Sequence, residues 1–267
     1  MTVIAIIPGS FAPALMYNDF VDGLKQHGIR SVAIELPSVG HREGRPAQTM
    51  TDDKNEIIRV VGGLLDDGED VVIMCHSYSG VPTSQSLEKL SEKARKAEGK
   101  KGVRTVVYTT SVILPVGASM FEGFMSSGAP SSITVDVCLY NTSKAEFLAL
   151  NSDQGDFMVL DRSINGPLTF SDMSPDQIVE RANQMDDHSA LSFQEKLGYA
   201  GYNDVEDLHY IFCEEDKIIA PETQEKMIDL VKTTSGREPT VHKMKVGHAP
   251  MASAPDALAK VVKEIIA

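Results

Sequence analysis

The sequence predicts an α/β fold: a mostly parallel, twisted sheet with helices on both faces. Three observations carry that expectation. Short apolar runs rich in Val and Ile end at turn residues. Stretches with helical spacing lie between them. One of the runs passes through a serine straight into a further helical stretch. The length of 267 residues fits one large domain, or two of about 130 residues each.

Taken in order, residues 2–7 form the first apolar run, which stops at Pro8-Gly9. Residues 31–36 (SVAIEL) form the second and stop at Pro37. Ile57, Val60, Val61, Leu64 and Leu65 then recur at helical spacing opposite a charged face. The run 70–74 (DVVIM) leads into a predicted helix over 81–97, and 104–111 (RTVVYTTS) is the next strand. Strands over 210–213 and 240–246 complete the sheet. Between them Pro221-Glu222 opens a helix, since proline suits the first turn. The last helix carries Leu258, Val261, Val262, Ile265 and Ile266 on one face. Asp256 lies in its first turn, where an anion favours the macrodipole.

From about Gly117 to Asp207 the alternation fades. Residues 125–134 (MSSGAPSSIT) are loop-like, while AEFLAL and SPDQIVERANQM read as short helices. Ser174-Pro175-Asp176 is a helix start. The expectation is a core of residues 1–116 and 208–267, with a helical cap at 117–207 inserted before the strand that bears a catalytic acid.

Composition removes several classes. Lys+Arg is 25 against Asp+Glu 38, a net charge of -13, which disfavours binding to nucleic acid or an anionic membrane surface. No apolar run approaches the length of a membrane span, and the opening MTVIAIIPGS has no basic region before its apolar residues. The basic stretch 95–104 reads as a solvated loop. Three cysteines, Cys75, Cys138 and Cys213, are too few and too scattered for a disulfide framework, which points to a reducing, cytoplasmic setting. They read as small buried residues. The CxxC and Cys/His spacings of zinc sites are absent, so no metal is expected.

The chemistry concentrates at Cys75-His76-Ser77-Tyr78-Ser79-Gly80. A strand running through x-Ser-x into a helix is the setting of a nucleophile elbow. Its tight turn exposes the serine hydroxyl and requires small flanking residues; Cys75 and Ser79 meet that need. A serine needs a base, and the base an orienting acid. In this arrangement the chain order is serine, acid, histidine. Glu214-Glu215-Asp216 follows a late strand, and Asp216 has the best offset before the next helix. Gly247-His248 ends the last strand, so His248 is the candidate base. The N–H of Tyr78 and that of Ser10, in the loop after the first strand, are the candidate oxyanion donors. Gly9 lets that loop turn sharply.

Other residues have blander readings. His76 is expected to be a packed core residue beside the nucleophile. His27, His41, His209 and His242 read as turn or strand residues, and His188 as a structural residue of the cap. Cys75 would point into the sheet, which argues against its acting as the nucleophile. Met120, Phe121, Phe124 and Phe157 fit an apolar pocket or the cap's own core equally. Gly9, Ser10 and Phe11, in and beside the oxyanion loop that must face the substrate, and Ala249, after His248, are further pocket candidates.

On these motifs the chain resembles an α/β-hydrolase, near the small methylesterases and hydroxynitrile lyases. The resemblance covers nearly the whole chain. It rests on Pro8-Gly9-Ser10, on the Ser/Gly turn at 35–40, on the elbow, and most specifically on Tyr210-Ile211-Phe212-Cys213-Glu214-Glu215-Asp216-Lys217, which supports Asp216 as the acid. Gly9 and Ala249 are closer to the esterase pattern than to the lyase pattern, which has Thr and Lys there. The resemblance implies a cofactor-free serine hydrolase of small carboxylic esters. The alternatives are a lyase or cyclase using the same Ser77 and His248, or a ligand-binding receptor without turnover. A small-molecule substrate is the expected partner, and a homodimer is left open.

Overall fold

The computed structural model describes residues 2–40, 44–122 and 157–267. Six strands form one parallel sheet: β1 (Thr2–Ile7), β2 (Arg30–Ala33), β3 (Asp70–His76), β4 (Thr105–Thr109), β7 (Asp207–Cys213) and β8 (Thr240–Met244), in the order β2-β1-β3-β4-β7-β8. Two short strands, β5 (Phe157–Met158) and β6 (His188–Ser189), pair antiparallel apart from it.

The inner strands β1 and β3 are almost continuously apolar because both faces of the sheet are covered there. Successive side chains alternate between two cores. Ala5, Ile7, Val71, Ile73, Cys75, Val106 and Tyr108 face one of them, packed with Ile57, Val61 and Leu65 of the helix Met50–Asp66 and with Val81 and Leu87 of the helix Gly80–Leu90. Ile4, Ile6, Val72, Met74 and Val107 face the other, packed with Phe20 and Leu24 of the helix Asn18–Gln26 and with Leu258 and Val262 of the helix Pro255–Ile265. The helix Met50–Asp66 starts at a capping box, in which the Thr49 hydroxyl accepts from the Asp52 N–H and the Asp52 carboxylate accepts from the Thr49 N–H.

Several bounds differ from the sequence expectation, each for a local reason. The second strand ends at Ala33 rather than Leu36. Beyond it the chain turns away, and the Gly40 N–H donates to the Asp187 carbonyl at 2.8 Å. The helix expected over 81–97 ends at Leu90. Ser91 is extended there (φ -60, ψ 151) and caps a separate short turn, Glu92–Arg95. The Val103 N–H donates to the Leu90 carbonyl at 2.7 Å and holds that break. The strand expected over 70–74 instead runs on to His76, and the one over 210–213 begins at Asp207.

Between β4 and β7 the described residues form the helices Arg162–Thr169, Pro175–Ala182 and Ala190–Gln194, together with β5 and β6. Ser174 caps Pro175–Ala182 in a box with Gln177. Phe124, Cys138, His41, the stretch 125–134 and the AEFLAL stretch lie outside the described residues. Parallel strands bring the loops that follow β1, β3, β4, β7 and β8 to one edge of the sheet. Winding reverses between β1 and β3, and open α/β sheets form their crevice at such a point. The two sides of that crevice are the loop 8–11 and the turn at Ser77.

Candidate active site

At the end of β3, Ser77 sits at φ 55, a conformation that L side chains rarely adopt. Its neighbours over-determine that geometry. The Ser77 carbonyl accepts from the Val112 N–H at 2.9 Å and from the Ser111 hydroxyl at 2.8 Å. The Ser79 hydroxyl donates to the Ile7 carbonyl at 2.8 Å, which ties the turn to β1. Gly80 passes so close to the chain after β4 that a Cβ there would lie 2.2 Å from the Val112 carbonyl oxygen. Cys75 is buried in the sheet, where desolvation pushes its thiol up to about 12.

A chain of hydrogen bonds leads away from the Ser77 hydroxyl. Ser77 Oγ lies 3.0 Å from His248 Nε2, and His248 Nδ1 lies 2.7 Å from Asp216 Oδ2. A carboxylate only accepts, so Nδ1 carries the proton and Nε2 is free to accept from the serine. Asp216 Oδ1 accepts from the N–H groups of Ile218 and Ile219 at 2.7 and 2.9 Å. The Thr110 hydroxyl bonds Oδ2. Burial pushes the Asp216 carboxyl up. The facing His248, the Thr110 hydroxyl and the Ile219 N–H outweigh burial, and the net shift is down. Thr110 itself stands at φ 34.

On the other side of the crevice the Gly9 N–H donates to Tyr17 Oη at 2.8 Å. Tyr17 Oη lies 2.8 Å from His76 Nδ1, and His76 Nε2 lies 2.8 Å from the His248 carbonyl oxygen. The carbonyl can only accept, so Nε2 carries the His76 proton and Nδ1 accepts from the tyrosine. Burial, with the nearby His248, pushes His76 down to about 3. It is a neutral tie between the loop 8–11, the turn and the His248 loop. A Cβ at Gly9 would lie 2.9 Å from His76 Nδ1 and 3.1 Å from Ser77 Cβ, so the loop can approach the serine only with glycine there.

Ser10 follows Gly9 and is half-buried. Tyr78 lies in the first turn after Ser77, where N–H groups have no intrahelical acceptor. The Tyr78 hydroxyl donates to Asp53 Oδ2 at 2.7 Å. Asp53 also accepts from the Ser38 N–H and hydroxyl, at 2.9 and 2.6 Å. Burial pushes its carboxyl up, partly offset by these bonds, to about 6. Phe11, Phe121 and Ala249 share one buried apolar cluster with Met158 and Leu160. Met120 belongs to the other cluster, with Tyr78 and Leu114. Phe157 is half-buried in β5. His209 and His242 face each other at 3.0 Å on β7 and β8. Among the described residues, no group of three or more His, Cys, Asp or Glu could hold a metal ion, and no helix is long and apolar enough to cross a membrane.

Three participants were not singled out from the sequence. Thr110 supports Asp216, Tyr17 holds the Gly9 N–H, and Asp53 anchors the Tyr78 ring. The run Thr109-Thr110-Ser111 at the carboxyl end of a strand was a usable signal. Asp53 stands in the first turn of the helix Met50–Asp66, and nothing in its spacing marks it as buried.

Comparison with known proteins agrees with this architecture. A relative from Phoma sp., described as probable hydrolase R7, is 37% identical over 262 residues, covering 98% of this chain and 97% of its own. Among solved structures, an extracellular α/β-hydrolase from a Paenibacillus species superposes with a TM-score of 0.73 at 16% identity, covering 99% of this chain and 98% of its own. It is described as sharing structural and functional homology with tobacco salicylic acid binding protein 2. Polyneuridine aldehyde esterase superposes with a TM-score of 0.71 at 18% identity, covering 100% of this chain and 99% of its own. The model of the alpha/beta hydrolase family matches residues 4–261. With its parallel sheet and the turn at Ser77, the chain belongs to the alpha/beta hydrolase family.

Proposed function

We propose that the protein is a cofactor-free serine hydrolase of a small, partly apolar carboxylic ester, with Ser77, His248 and Asp216 as its catalytic residues. The observation that carries this reading is the unbroken chain from Ser77 Oγ through His248 to Asp216, beneath a serine held at φ 55. Ser77 Oγ attacks the ester carbonyl carbon while its proton passes to His248 Nε2. The N–H groups of Ser10 and Tyr78 hold the resulting oxyanion. The intermediate collapses, the C–O bond to the alcohol breaks, and the alcohol takes the proton from His248. Water then attacks the acyl-enzyme, again giving its proton to His248, and the acid leaves as Ser77 regains a proton. Asp216 fixes the imidazole tautomer and stabilises the imidazolium. Residues 117–207 act as a cap over a core of 1–116 and 208–267. Phe11, Phe121 and Ala249 contribute an apolar wall to the pocket between them. The likeness to a named esterase supports the ester class.

The test is turnover of a p-nitrophenyl ester with intact-mass detection of the acyl-enzyme. The expected result is an acyl adduct on Ser77, and a loss of about 10⁴-fold or more in kcat for Ser77→Ala. Undiminished turnover by that variant overturns the reading. Turnover of the physiological substrate with no acyl-enzyme at any time moves it to a lyase or cyclase.

A further inference from the structure

The loop that carries the Ser10 N–H is held on both flanks. On one side the Gly9 N–H is engaged by Tyr17. On the other, Phe11 stands at φ 60, and both its backbone groups are engaged by the segment 186–188. The Asp186 N–H donates to the Phe11 carbonyl at 3.0 Å. The Phe11 N–H donates to His188 Nδ1 at 3.4 Å. The His188 tautomer follows from its other nitrogen. The Ser192 hydroxyl donates to the Ser189 carbonyl at 2.8 Å, so it accepts from His188 Nε2 at 2.9 Å. Nε2 therefore carries the proton, and Nδ1 is left as the acceptor that Phe11 requires.

The same ring reaches the second candidate donor. It meets the Tyr78 ring edge-on at 4.9 Å between centroids, and the Phe11 ring at 5.3 Å. Phe193 stacks flat on Tyr78 at 5.2 Å and meets His188 edge-on at 5.3 Å. Tyr78 is pinned at its far end by Asp53. One fully buried histidine thus touches the residue after Ser10 and the side chain of the residue that supplies the other N–H.

Resting on the ester-hydrolase reading above, we propose that His188 is a positioning residue that sets the spacing of the two oxyanion donors. Through Nδ1 it holds Phe11 in its left-handed conformation, which aims the Ser10 N–H at the crevice. Through its ring it fixes the side chain of Tyr78, the second candidate donor. It touches no substrate and moves no proton. Burial keeps it neutral, pushed down to about 3, so the acceptor at Nδ1 is present throughout the neutral range. The segment between β4 and β7 thereby completes the oxyanion hole from outside the sheet.

The test compares His188→Leu, which has no acceptor, with His188→Asn, whose Oδ1 can take the place of Nδ1. Two readouts are used on purified full-length protein. The first is kcat and KM for a p-nitrophenyl ester. The second is the affinity for an aryl trifluoromethyl ketone, which adds Ser77 Oγ to its carbonyl and places an oxyanion in the hole, relative to the unreactive methyl ketone. Deleting an oxyanion donor costs about 10²–10³ in rate, and a displaced donor costs less. For His188→Leu the expected result is therefore kcat lower by about ten- to a hundredfold, KM changed by less than about threefold, and trifluoromethyl ketone affinity lower in parallel with kcat. His188→Asn is expected to recover most of that loss. The proposal is overturned if His188→Leu keeps kcat and ketone affinity within about threefold of the parent. It is also overturned if Asn does no better than Leu while both variants melt at the parent temperature, since packing alone would then explain the loss. Should His188→Leu not fold, Ser192→Ala removes only the hydroxyl that fixes the tautomer. That variant must lower kcat by about fivefold or more at unchanged KM. The ketone adduct forms on Ser77 whether or not esters are turned over, so it tests His188 even if the ester-hydrolase reading fails. A parent protein that forms no adduct at all overturns the positioning proposal.

Discussion

Mild acid should destabilise this fold through two histidines buried in neutral form. His76 and His188 are both held at about 3 in the folded protein, against about 6.5 for the unfolded chain. The unfolded chain therefore gains protons that the folded one refuses. Their stabilising contribution is complete above about pH 6.5 and is lost as pH falls toward about 3. Between about pH 6.5 and about pH 5, the pair together costs about 3 kcal/mol by linkage. Asp53 acts in the opposite sense. Its carboxyl is raised to about 6, so the folded state holds that proton more tightly than the unfolded one. Over the same interval it returns about 1 kcal/mol. The net loss is about 2 kcal/mol, a large part of the stability of an ordinary domain. His209 and His242, lowered by burial, add to the loss. Asp216 is lowered, so its contribution is lost only at more acid pH. The assay is urea unfolding at the two pH values and fixed ionic strength. The chain has no tryptophan, so far-UV circular dichroism is the probe. His76→Gln removes one of the two titrations and should reduce the net loss to under about 1 kcal/mol. Stability that is equal or greater at the lower pH, or a loss that His76→Gln leaves intact, refutes the reasoning.

Three further outcomes can be checked. Asp216→Asn keeps the packing but loses the tautomer lock on His248, so kcat should fall by about 10⁴ with the melting temperature little changed; steady-state kinetics and calorimetry decide it. Gly80→Ala places a methyl group 2.2 Å from the Val112 carbonyl oxygen, and should lower the unfolding free energy by more than about 3 kcal/mol or prevent soluble expression. Tyr78→Phe strips Asp53 of one of its donors. It should cost about 1–3 kcal/mol in stability, measured by denaturant unfolding.

Much of this molecule was legible because its sheet is covered on both faces. Runs such as 3–7 and 71–75 are apolar at every position because alternate residues enter two different cores. The candidate residues Ser77, Asp216 and His248 could be picked out for a related reason: each lies in the turn or loop that follows a strand, and strand ends are the easiest feature to place in an α/β pattern. What escaped was set by contacts between distant parts of the chain. Asp53 lies 25 positions before Tyr78, and Thr110 lies 106 before Asp216. No periodicity reports such pairs. The break at Ser91 was hidden as well, because the helical pattern continues through it and only the pairing with Val103 reveals the turn. His188 was read as structural. Its contacts give that role a specific object, the loop that carries Ser10.

Among the described residues, three non-glycine residues stand at positive φ: Phe11, Ser77 and Thr110. Each occupies the loop at the end of a central strand. Backbone held this way costs about 1–3 kcal/mol per residue, and glycine would relax it. A laboratory selection for heat resistance alone would therefore favour replacement at the positions that shape the candidate site. Stability gained there would come at the expense of the proposed activity. A programme to harden this protein should score turnover in every round, and should look for its gains at the exposed edges of the sheet and in surface turns.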